Sequence, residues 1–347
     1  MSTSDDRGLH EAKFWRKEGE RVECYLCPHH CRIAPNKMGI CGVRQNRNGR
    51  LYSLIYGQVS AMHVDPMEKK PLFHFHPGQP VLSLGSIGCN LRCQHCQNYS
   101  ISQSRFGSTH LNPLRPEDVP QLAKESGCRN VAFTYNEPTI WHEFAYDSFR
   151  ICRERGIATV YVTNGFIEEE ALRDLAPYLS AMNIDVKGFK EEFYRRICKG
   201  RLSPILDATK LAHDLGIHVE LTYLVIPTRN DKEDEIRDFS RWVVSKLSPK
   251  VPVHFTRFHP DYMMTDLPGT PFATMEMAHR VAKAEGLDFI YLGNMSSMEG
   301  ENTRCPKCNS LAIRRSGYHV EIVGLEAGRC AKCGEDLNIV PQAVTGK

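Results

Sequence analysis

The feature that most constrains this chain is a run of three cysteines, Cys89, Cys93 and Cys96, spaced C-x3-C-x2-C in one short loop. Three thiolates are one too few for a closed site, because structural zinc takes four ligands in a tetrahedron and a cubane iron–sulfur cluster normally takes four cysteines. The spacing therefore indicates a four-iron cluster with one iron left open to another ligand. The alternative is a zinc loop that a distant residue completes.

Eleven of the 14 cysteines fall into three blocks, which predict the domain organisation. The first block is Cys24, Cys27, Cys31 and Cys41, the second is the central triplet, and the third is Cys305, Cys308, Cys330 and Cys333. We expect a small Cys-rich metal module over residues 1–50, a large central domain over 51–298 and a zinc-ribbon-like module over 299–347. The remaining cysteines are expected to be buried core residues: Cys128, Cys152 and Cys198.

The composition is that of an ordinary globular protein, with 41% hydrophobic and 24% charged residues. The net charge of +3 is too small to indicate a nucleic-acid partner. The N-terminus has no apolar segment of the kind a signal peptide needs, and no stretch reaches the roughly 18 apolar residues of a membrane span. We therefore expect a cytoplasmic protein with no membrane partner, whose clustered cysteines bind metals rather than form disulfides.

Between residues 81 and 297, strand-like and helix-like segments alternate. The predicted strands are Val81–Gly85, Asn130–Tyr135, Ala158–Thr163, Ala181–Val186, His218–Ile226, Val253–Phe258 and Phe289–Leu292, and the predicted helices lie near 116–126, 141–155, 167–178, 204–215, 231–246 and 273–285. Gly156 and Gly216 are predicted to end two helices, and Asn230 to help cap the fifth. Repeated β-then-α units require a parallel sheet, so the prediction is an α/β fold whose sheet curls into a partial (β/α)6-type, TIM-like barrel. A doubly wound open sheet is the alternative.

Polar residues or glycine follow almost every predicted strand. After the first strand comes the cysteine loop, and later strands are followed by Tyr135-Asn136-Glu137, Thr163-Asn164-Gly165, Asp185-Val186-Lys187 and Arg257-Phe258-His259. In a β/α barrel the active site lies at the carboxyl ends of the strands. These side chains are therefore expected to meet on one rim.

The cysteine spacing resembles the cluster loop of the radical S-adenosylmethionine (radical SAM) superfamily. The resemblance implies two cofactors, a [4Fe-4S] cluster and SAM, with SAM chelated by the open iron. It also implies an enzyme that cleaves SAM to a 5′-deoxyadenosyl radical, which abstracts hydrogen from a substrate. The residue before the last cysteine is usually aromatic in that superfamily, and His95 would offer a planar ring near adenine.

The strand ends resemble those of radical SAM activating enzymes of the pyruvate formate-lyase type. On that resemblance Glu137 receives the SAM amino group, Asp185 and Lys187 hold the methionyl and ribose parts, and His259 also contacts SAM. The further matching positions are Asn136, Thr163 and Asn164, with Tyr135 and Asn136 standing in place of glycines.

A second departure from those enzymes concerns the SAM carboxylate. An arginine in their fifth strand is Thr222 here. Lys187 is then the candidate partner of the carboxylate.

Over nearly its full length, the chain resembles the radical SAM member of the AmmeMemoRadiSam system. The segments that carry this resemblance are Cys24–Cys31, Gly39–Arg44, Asp65–Gly78, Arg257–Tyr262 and Tyr291–Asn294. It implies Memo-like and AMMECR-like partner proteins, with an electron donor of the flavodoxin or ferredoxin type. It implies no particular substrate.

The C-terminal block has two C-x2-C pairs separated by 21 residues, a spacing typical of a zinc ribbon. Between the pairs, Leu311–Val323 is predicted to form a hairpin that turns at Ser316-Gly317. The module is interpreted as a structural staple, with docking of a partner through Arg314, Arg315 and Lys332 as the alternative. The N-terminal block could hold zinc, which we favour, or an auxiliary iron–sulfur cluster, since spacing does not distinguish the metals.

The leading functional hypothesis is thus a radical SAM enzyme that modifies an unactivated C–H position of a small molecule or peptide. A narrower alternative is an activase that installs a radical on a partner protein. An alternative of another class is a non-catalytic, zinc-binding scaffold in which all three cysteine blocks are structural.

Overall fold

The computed structural model describes residues 9–295 and 300–342. Its centre is an eight-stranded sheet whose strands follow one another across the sheet in chain order. The strands are β1 (Ala61–Pro66), β2 (Pro80–Gly85), β3 (Asn130–Phe133), β4 (Ala158–Thr163), β5 (Ala181–Asp185), β6 (His218–Val225), β7 (Val253–Arg257) and β8 (Ile290–Gly293). Strands β2 to β8 run parallel, and β1 is antiparallel to β2.

All seven predicted strands are present, and the α/β prediction with a mainly parallel sheet is confirmed. The strand order never reverses, so the doubly wound alternative is wrong. Strands β1 and β8 form the two edges of the sheet and do not pair with each other within the described residues, which leaves the sheet open as in a partial barrel. The bodies of the parallel strands β2 to β8 are mostly buried, as expected where helices cover a parallel sheet, whereas the antiparallel edge strand β1 is mostly exposed.

Helices connect the strands. They are α1 (Tyr99–Ser102), α2 (Val119–Glu125), α3 (His142–Glu154), α4 (Glu169–Leu175), α5 (Glu191–Phe193), α6 (Ser203–Asp214), α7 (Glu233–Lys246) and α8 (Phe272–Ala284), with 3-10 turns at Met67–Lys69, Pro116–Asp118, Pro138–Trp141 and Ala176–Tyr178 and a π-helical turn at Tyr194–Cys198. Gly156 and Gly216 follow α3 and α6 with positive φ, as predicted. None of the helices in the described ranges combines the length and the apolar character that crossing a bilayer requires.

The predicted cap of α7 is wrong. The side chain of Asn230 binds away from the helix: its Oδ1 accepts from the Ile226 backbone N–H at 2.6 Å, and its Nδ2 donates to the Lys187 carbonyl at 2.7 Å. The side chain therefore joins the loop after β6 to the loop after β5, and α7 begins without a side-chain cap.

Smaller sheets come before and after the central sheet along the chain. Before it lie the strands His10–Glu11, Trp15–Glu18, Arg21–Cys24, Cys31–Ile33, Arg44–Arg47, Arg50–Ser53 and Gln58–Val59, the last of which pairs with Asn112–Pro113. After it lie Thr303–Arg304, Leu311–Ser316, His319–Ile322, Leu325–Glu326 and Arg329–Cys330. The predicted C-terminal hairpin is present, and Gly317 turns it with φ of +58°. The proposed boundary at residues 298 and 299 lies outside the described residues.

Arg315 joins the C-terminal segment to the barrel. Its side chain is fully buried, and its guanidinium lies 4.3 Å from the centre of the Phe73 ring. It donates to the Phe73 carbonyl at 2.6 Å and to Thr303 Oγ1 at 2.8 Å. Arg315 is therefore inaccessible to a partner, and the interpretation of this residue as a docking site is wrong.

Glu220 on β6 holds a second buried connection. Its carboxylate accepts hydrogen bonds from the backbone N–H groups of Phe73 and His74, at 2.9 and 2.7 Å, and lies 2.7 Å from Nε2 of His254 and 3.1 Å from Nε2 of His218. Burial raises the pKa of Glu220, but the two histidines more than offset this, so its pKa lies well below the usual value. The ionised carboxylate thus fixes the segment before β2 against the interior of the sheet.

We expect Glu220→Gln to lower the free energy of unfolding at pH 7 by about 3 kcal/mol, because the amide nitrogen would face the backbone N–H of Phe73 or of His74, which can only donate. The folded-state pKa is depressed, so the stabilisation is complete above the ordinary pKa of 4.5 and is lost as the pH falls through the folded-state pKa. Urea denaturation at several pH values measures both effects. Glu321→Gln, which removes an exposed pair with Arg314, is the matched control and should cost less than about 1 kcal/mol. Equal costs for the two variants would contradict the role of Glu220.

Candidate active site

The cysteine loop follows β2 at the carboxyl rim of the sheet. Its backbone is held by Arg92, whose N–H donates to the Cys198 carbonyl at 2.8 Å, and by Gln94, whose N–H donates to the Ile197 carbonyl at 3.1 Å. At its start Gly88 adopts φ of +83°, and a Cβ there would lie 2.6 Å from the Cys41 carbonyl oxygen. Only glycine therefore allows this close approach of the two backbones.

The sulfurs of Cys89, Cys93 and Cys96 do not converge on one point. Within the described ranges, the four C-terminal cysteines have their sulfurs within 4.8 Å of one another, whereas the three loop cysteines do not form such a group. A single zinc ion needs sulfurs about 3.8 Å apart, since each Zn–S bond is about 2.3 Å in a tetrahedron. In a cubane each thiolate binds a different iron, so wider separation is expected. The donor set fits a four-iron cluster better than the zinc-loop alternative.

The surroundings of the loop cysteines disfavour ionisation of their thiols. Burial, with Glu137 nearby, raises the pKa of Cys89 well above its usual value, and a hydrogen bond with Cys198 together with burial does the same for Cys93. Because the thiolate is the metal ligand, cluster assembly must displace these protons.

Glu137 connects the ends of β3 and β4. Its oxygens accept from Thr163 Oγ1 at 2.6 Å, from the Asn164 N–H at 2.8 Å and from the Thr139 N–H at 2.9 Å. Burial raises its pKa, although these three hydrogen bonds act in the opposite direction. The predicted acceptor of the SAM amino group therefore lies at the rim near Cys89, buried and already bonded to protein donors.

Two asparagines attach the cysteine loop to the strand ends. Asn136 accepts from the Ser86 N–H at 3.0 Å and donates to the Gly88 carbonyl at 3.1 Å. Asn164 donates to Asn90 Oδ1 at 2.9 Å, and its Nδ2 lies 3.6 Å from the Cys89 sulfur. The asparagine that replaces a glycine of the related motif thus has a definite structural role, which is to fix the start of the loop.

Asp185 and Lys187 form an ion pair of 2.8 Å at the end of β5. Burial lowers the pKa of Lys187, but Asp185 and Cys93 more than offset it, so the pKa is raised and the ammonium stays charged. The backbone N–H of Lys187 donates to the Tyr194 hydroxyl at 2.9 Å. A fixed cation beside the loop cysteines suits an anionic group such as a carboxylate.

His95 and Cys198 lie against Cys93. The two cysteine sulfurs and one ring nitrogen of His95 all lie within 4.8 Å of one another. His95 is buried, neither ring nitrogen has a hydrogen-bond partner in the described part of the chain, and burial lowers its pKa to about 3. The ring is therefore neutral. Cys198 is buried as predicted, but its contact with Cys93 was missed, since no spacing in the sequence connects residues so far apart.

His259 stands apart from the other predicted residues. It follows β7 at the same rim, is exposed, and shares no interaction with them among those resolved in the described ranges. Thr222, which stands where the activating enzymes have an arginine, donates to Asn183 Oδ1 at 3.0 Å in the interior of the sheet. The role of His259 stays a prediction.

A groove of about 430 Å³ lies at the opposite rim, where residues such as Ser180, Ile217 and Val251 precede β5, β6 and β7. The amino ends of barrel strands generally serve stability, whereas catalysis lies at the carboxyl ends. This groove is therefore not part of the candidate active site.

Comparison with known proteins identifies the family. The model of the Radical SAM superfamily matches residues 84–240, which run from the end of β2 into α7 and contain the cysteine loop, Glu137 and the Asp185–Lys187 pair. A Methanocaldococcus jannaschii protein described as uncharacterized protein MJ0808 is 45% identical over 335 residues, covering 96% of this chain and 100% of that protein. The chain belongs to the radical SAM superfamily. It is accordingly an enzyme of a superfamily whose members bind SAM and a [4Fe-4S] cluster.

More distant relatives cover less of the chain. The pyruvate formate-lyase-activating enzyme of Clostridium pasteurianum is 26% identical over 161 residues, which is 43% of this chain and 63% of that enzyme. Among solved structures, Streptococcus suis SuiB bound to S-adenosylmethionine has a TM-score of 0.49 and 14% identity, covering 63% of this chain and 51% of SuiB. The predicted relationship to activating enzymes of this type is confirmed at the level of the superfamily. Membership of the AmmeMemoRadiSam system stays a prediction.

Proposed function

We propose that this radical SAM enzyme binds its cluster through Cys89, Cys93 and Cys96 and directly modifies a C–H position of a small molecule or peptide. One observation carries the proposal: a buried carboxylate, Glu137, and a charged ammonium, Lys187, both lie beside the loop cysteines. The amino acid part of SAM presents an amine and a carboxylate, so these two side chains offer complementary charges next to the thiolates.

When bound, the cluster and SAM supply the radical chemistry, and the protein orients them and excludes water from the site. Asn136 and Asn164 hold the loop against the strand ends. Asp185, one-third exposed beside Lys187, can accept hydrogen bonds from ribose hydroxyls. The neutral ring of His95 offers a surface for adenine. The proposal includes a one-electron donor of the flavodoxin or ferredoxin type, and Memo-like and AMMECR-like partners, which rest on the family resemblance.

The test is anaerobic cleavage of SAM. Protein reconstituted with iron and sulfide is incubated with SAM and dithionite, and 5′-deoxyadenosine is measured by mass spectrometry. Wild-type protein should form it, and Cys89→Ala protein should form less than about one-hundredth as much, since the cluster loses one of its three ligands. Cys128→Ala, which removes a cysteine near the amino end of β3, is the matched control. Absence of product from a wild-type sample with full iron content would contradict the proposal.

A further inference from the structure

The four N-terminal cysteines surround one apolar cavity. Cys24 and Cys31 face each other across a pair of antiparallel strands, Cys27 lies in the turn between them, and Cys41 follows Gly39 and Ile40. All four line the cavity, together with Leu26, His29, Ile33, Ile140, Arg44 and Asn90. Cys24, Cys27 and Cys41 are buried, and Cys31 is half-buried. Four inward-facing cysteines form a donor set suited to a metal centre.

The separations of these sulfurs disfavour a single zinc ion. The C-terminal cysteines have sulfur–sulfur distances of 3.5 Å for Cys305 with Cys333 and 3.6 Å for Cys308 with Cys330, close to the roughly 3.8 Å of a tetrahedral zinc site. No three of the N-terminal cysteines, all of which lie in the described part of the chain, bring their sulfurs within 4.8 Å of one another. Four cysteines that face one cavity, without converging as the C-terminal sulfurs do, suit a cluster in which each thiolate binds its own iron.

The cavity wall contains an incompletely paired cation. The side chain of Arg44 is 1% exposed, and its Nη2 donates to Glu143 Oε1 at 2.8 Å. Its Nε and Nη1 atoms are also buried but have no hydrogen-bond partner among the described residues. Leaving such donors unpaired is costly, and the sulfurs of a thiolate-bound cluster, which carries net negative charge, would accept from them.

Backbone N–H groups also lie near the sulfurs. They are those of His29 near Cys27, Ile40 near Cys31 and Val43 near Cys41. Hydrogen bonds to sulfur are among the means by which proteins set the reduction potential of iron–sulfur clusters. The site is therefore an apolar cavity with polar N–H groups beside three of its four sulfurs.

This site adjoins the radical SAM loop. Asn90, the residue after Cys89, is part of the cavity wall, and its carbonyl oxygen lies 2.6 Å from His29 Nε2. The Cys41 carbonyl packs against Gly88, the residue before Cys89, so closely that no Cβ fits between them. A single backbone contact thus separates a ligand of one site from a ligand of the other.

We propose that Cys24, Cys27, Cys31 and Cys41 hold a second [4Fe-4S] cluster, which passes electrons singly to the cluster of the Cys89 loop. A low-potential flavodoxin- or ferredoxin-type donor loses one electron, the N-terminal cluster gains it and then transfers it to the loop cluster, and no bond is made or broken. The metal assignment stands on the geometry alone, whereas the electron relay rests on the proposed function.

Metal content of matched variants tests the assignment. Anaerobically reconstituted protein in which Cys89, Cys93 and Cys96 are all replaced by Ala keeps the N-terminal block intact, so it should still contain about four irons and four sulfides. It should also show the electron paramagnetic resonance signal of a reduced four-iron cluster. About two zinc ions per chain, with no iron or sulfide in this triple variant, would overturn the assignment. This readout does not depend on SAM cleavage, so it separates failure of the inference from failure of the proposed function.

The relay has its own measurement. Cys24→Ala/Cys27→Ala protein should retain the loop cluster, and its reduction by a flavodoxin-type donor, followed by electron paramagnetic resonance after rapid freezing, should be at least tenfold slower than in wild-type protein. Equal rates of reduction in the double variant and in wild-type protein would overturn the relay. The metal assignment would not be affected, because the triple variant tests it separately. Should this double variant fail to fold, Arg44→Lys supplies the second comparison, because loss of the guanidinium donors should shift the potential of the N-terminal cluster and with it the rate at which the loop cluster is reduced. A shifted potential with an unchanged rate would overturn the relay, and an unchanged potential would overturn the proposed hydrogen bonds from Arg44 to the cluster.

Discussion

Cys93→Ala protein is expected to lose the loop cluster, whereas Cys198→Ala protein is expected to keep it. The two sulfurs are in contact, so either could bind iron on distance alone. A ligand for the fourth iron, however, must stand apart from the Cys93 sulfur, because each thiolate of a cubane binds a different iron. Cys198 lies against Cys93 and shares a hydrogen bond with it, which leaves the fourth iron open for SAM.

Iron and sulfide content after anaerobic reconstitution, with the visible absorption of the cluster, measures this difference. Cys93→Ala should retain less than about one-tenth of the loop cluster, because two cysteines do not hold a cubane. Cys198→Ala should retain nearly all of it and still form 5′-deoxyadenosine. Loss of the cluster in both variants would mean that Cys198 is a fourth ligand, and no iron would then remain for SAM.

Cys330→Ser is expected to unfold the C-terminal segment from residue 303 to residue 342. The four C-terminal sulfurs converge within 4.8 Å, and the small apolar core beneath them includes Ala312, Ile313 and Leu337. A core of this size supplies only a few kcal/mol, whereas zinc bound by four such ligands contributes on the order of 10 kcal/mol to folding. Loss of one ligand should therefore remove both the zinc and most of the stability of this segment.

Zinc analysis and hydrogen exchange of the Leu311–Ser316 hairpin strand measure this effect. In wild-type protein this site should hold zinc and the amides of the strand should be protected from exchange. Strong chelators should remove the zinc and the protection, as the Cys330→Ser substitution does. Cys128→Ser, whose cysteine takes no part in any of the three blocks, is the control and should leave protection of the hairpin unchanged. Full protection of the hairpin in metal-free protein would show that the packing of Arg315 and Phe73 suffices without zinc.

The sequence predicted the sheet well for a physical reason. Strands buried on both faces are short continuous runs of β-branched and aromatic residues, and the helices between them end at glycines such as Gly156 and Gly216. These signals are local, so each element could be placed within a few residues. The cap assigned to Asn230 failed because its side chain binds the Lys187 carbonyl, a long-range contact that no local pattern contains.

The candidate site was predicted in its residues but not in its interactions. The rule that catalytic residues lie at the carboxyl ends of parallel strands brought Glu137, Lys187 and the cysteine loop to one rim. It could not show that Glu137 would already be bonded to Thr163 and Asn164. Nor could it find Cys198, which reaches Cys93 only because the chain after β5 folds back over the loop.

Cysteine spacing and hydrophobic periodicity are local properties, and they were enough to predict the candidate metal ligands, the order of the strands and helices, and the thiols of the central loop. Three features came from the folded chain alone: how far apart the sulfurs of each block lie, where Arg44 and Arg315 are buried, and the contact between Cys41 and Gly88. Those distances depend on contacts between residues far apart in the chain, and the choice between one zinc ion and a four-iron cluster depends on such distances rather than on the number of cysteines.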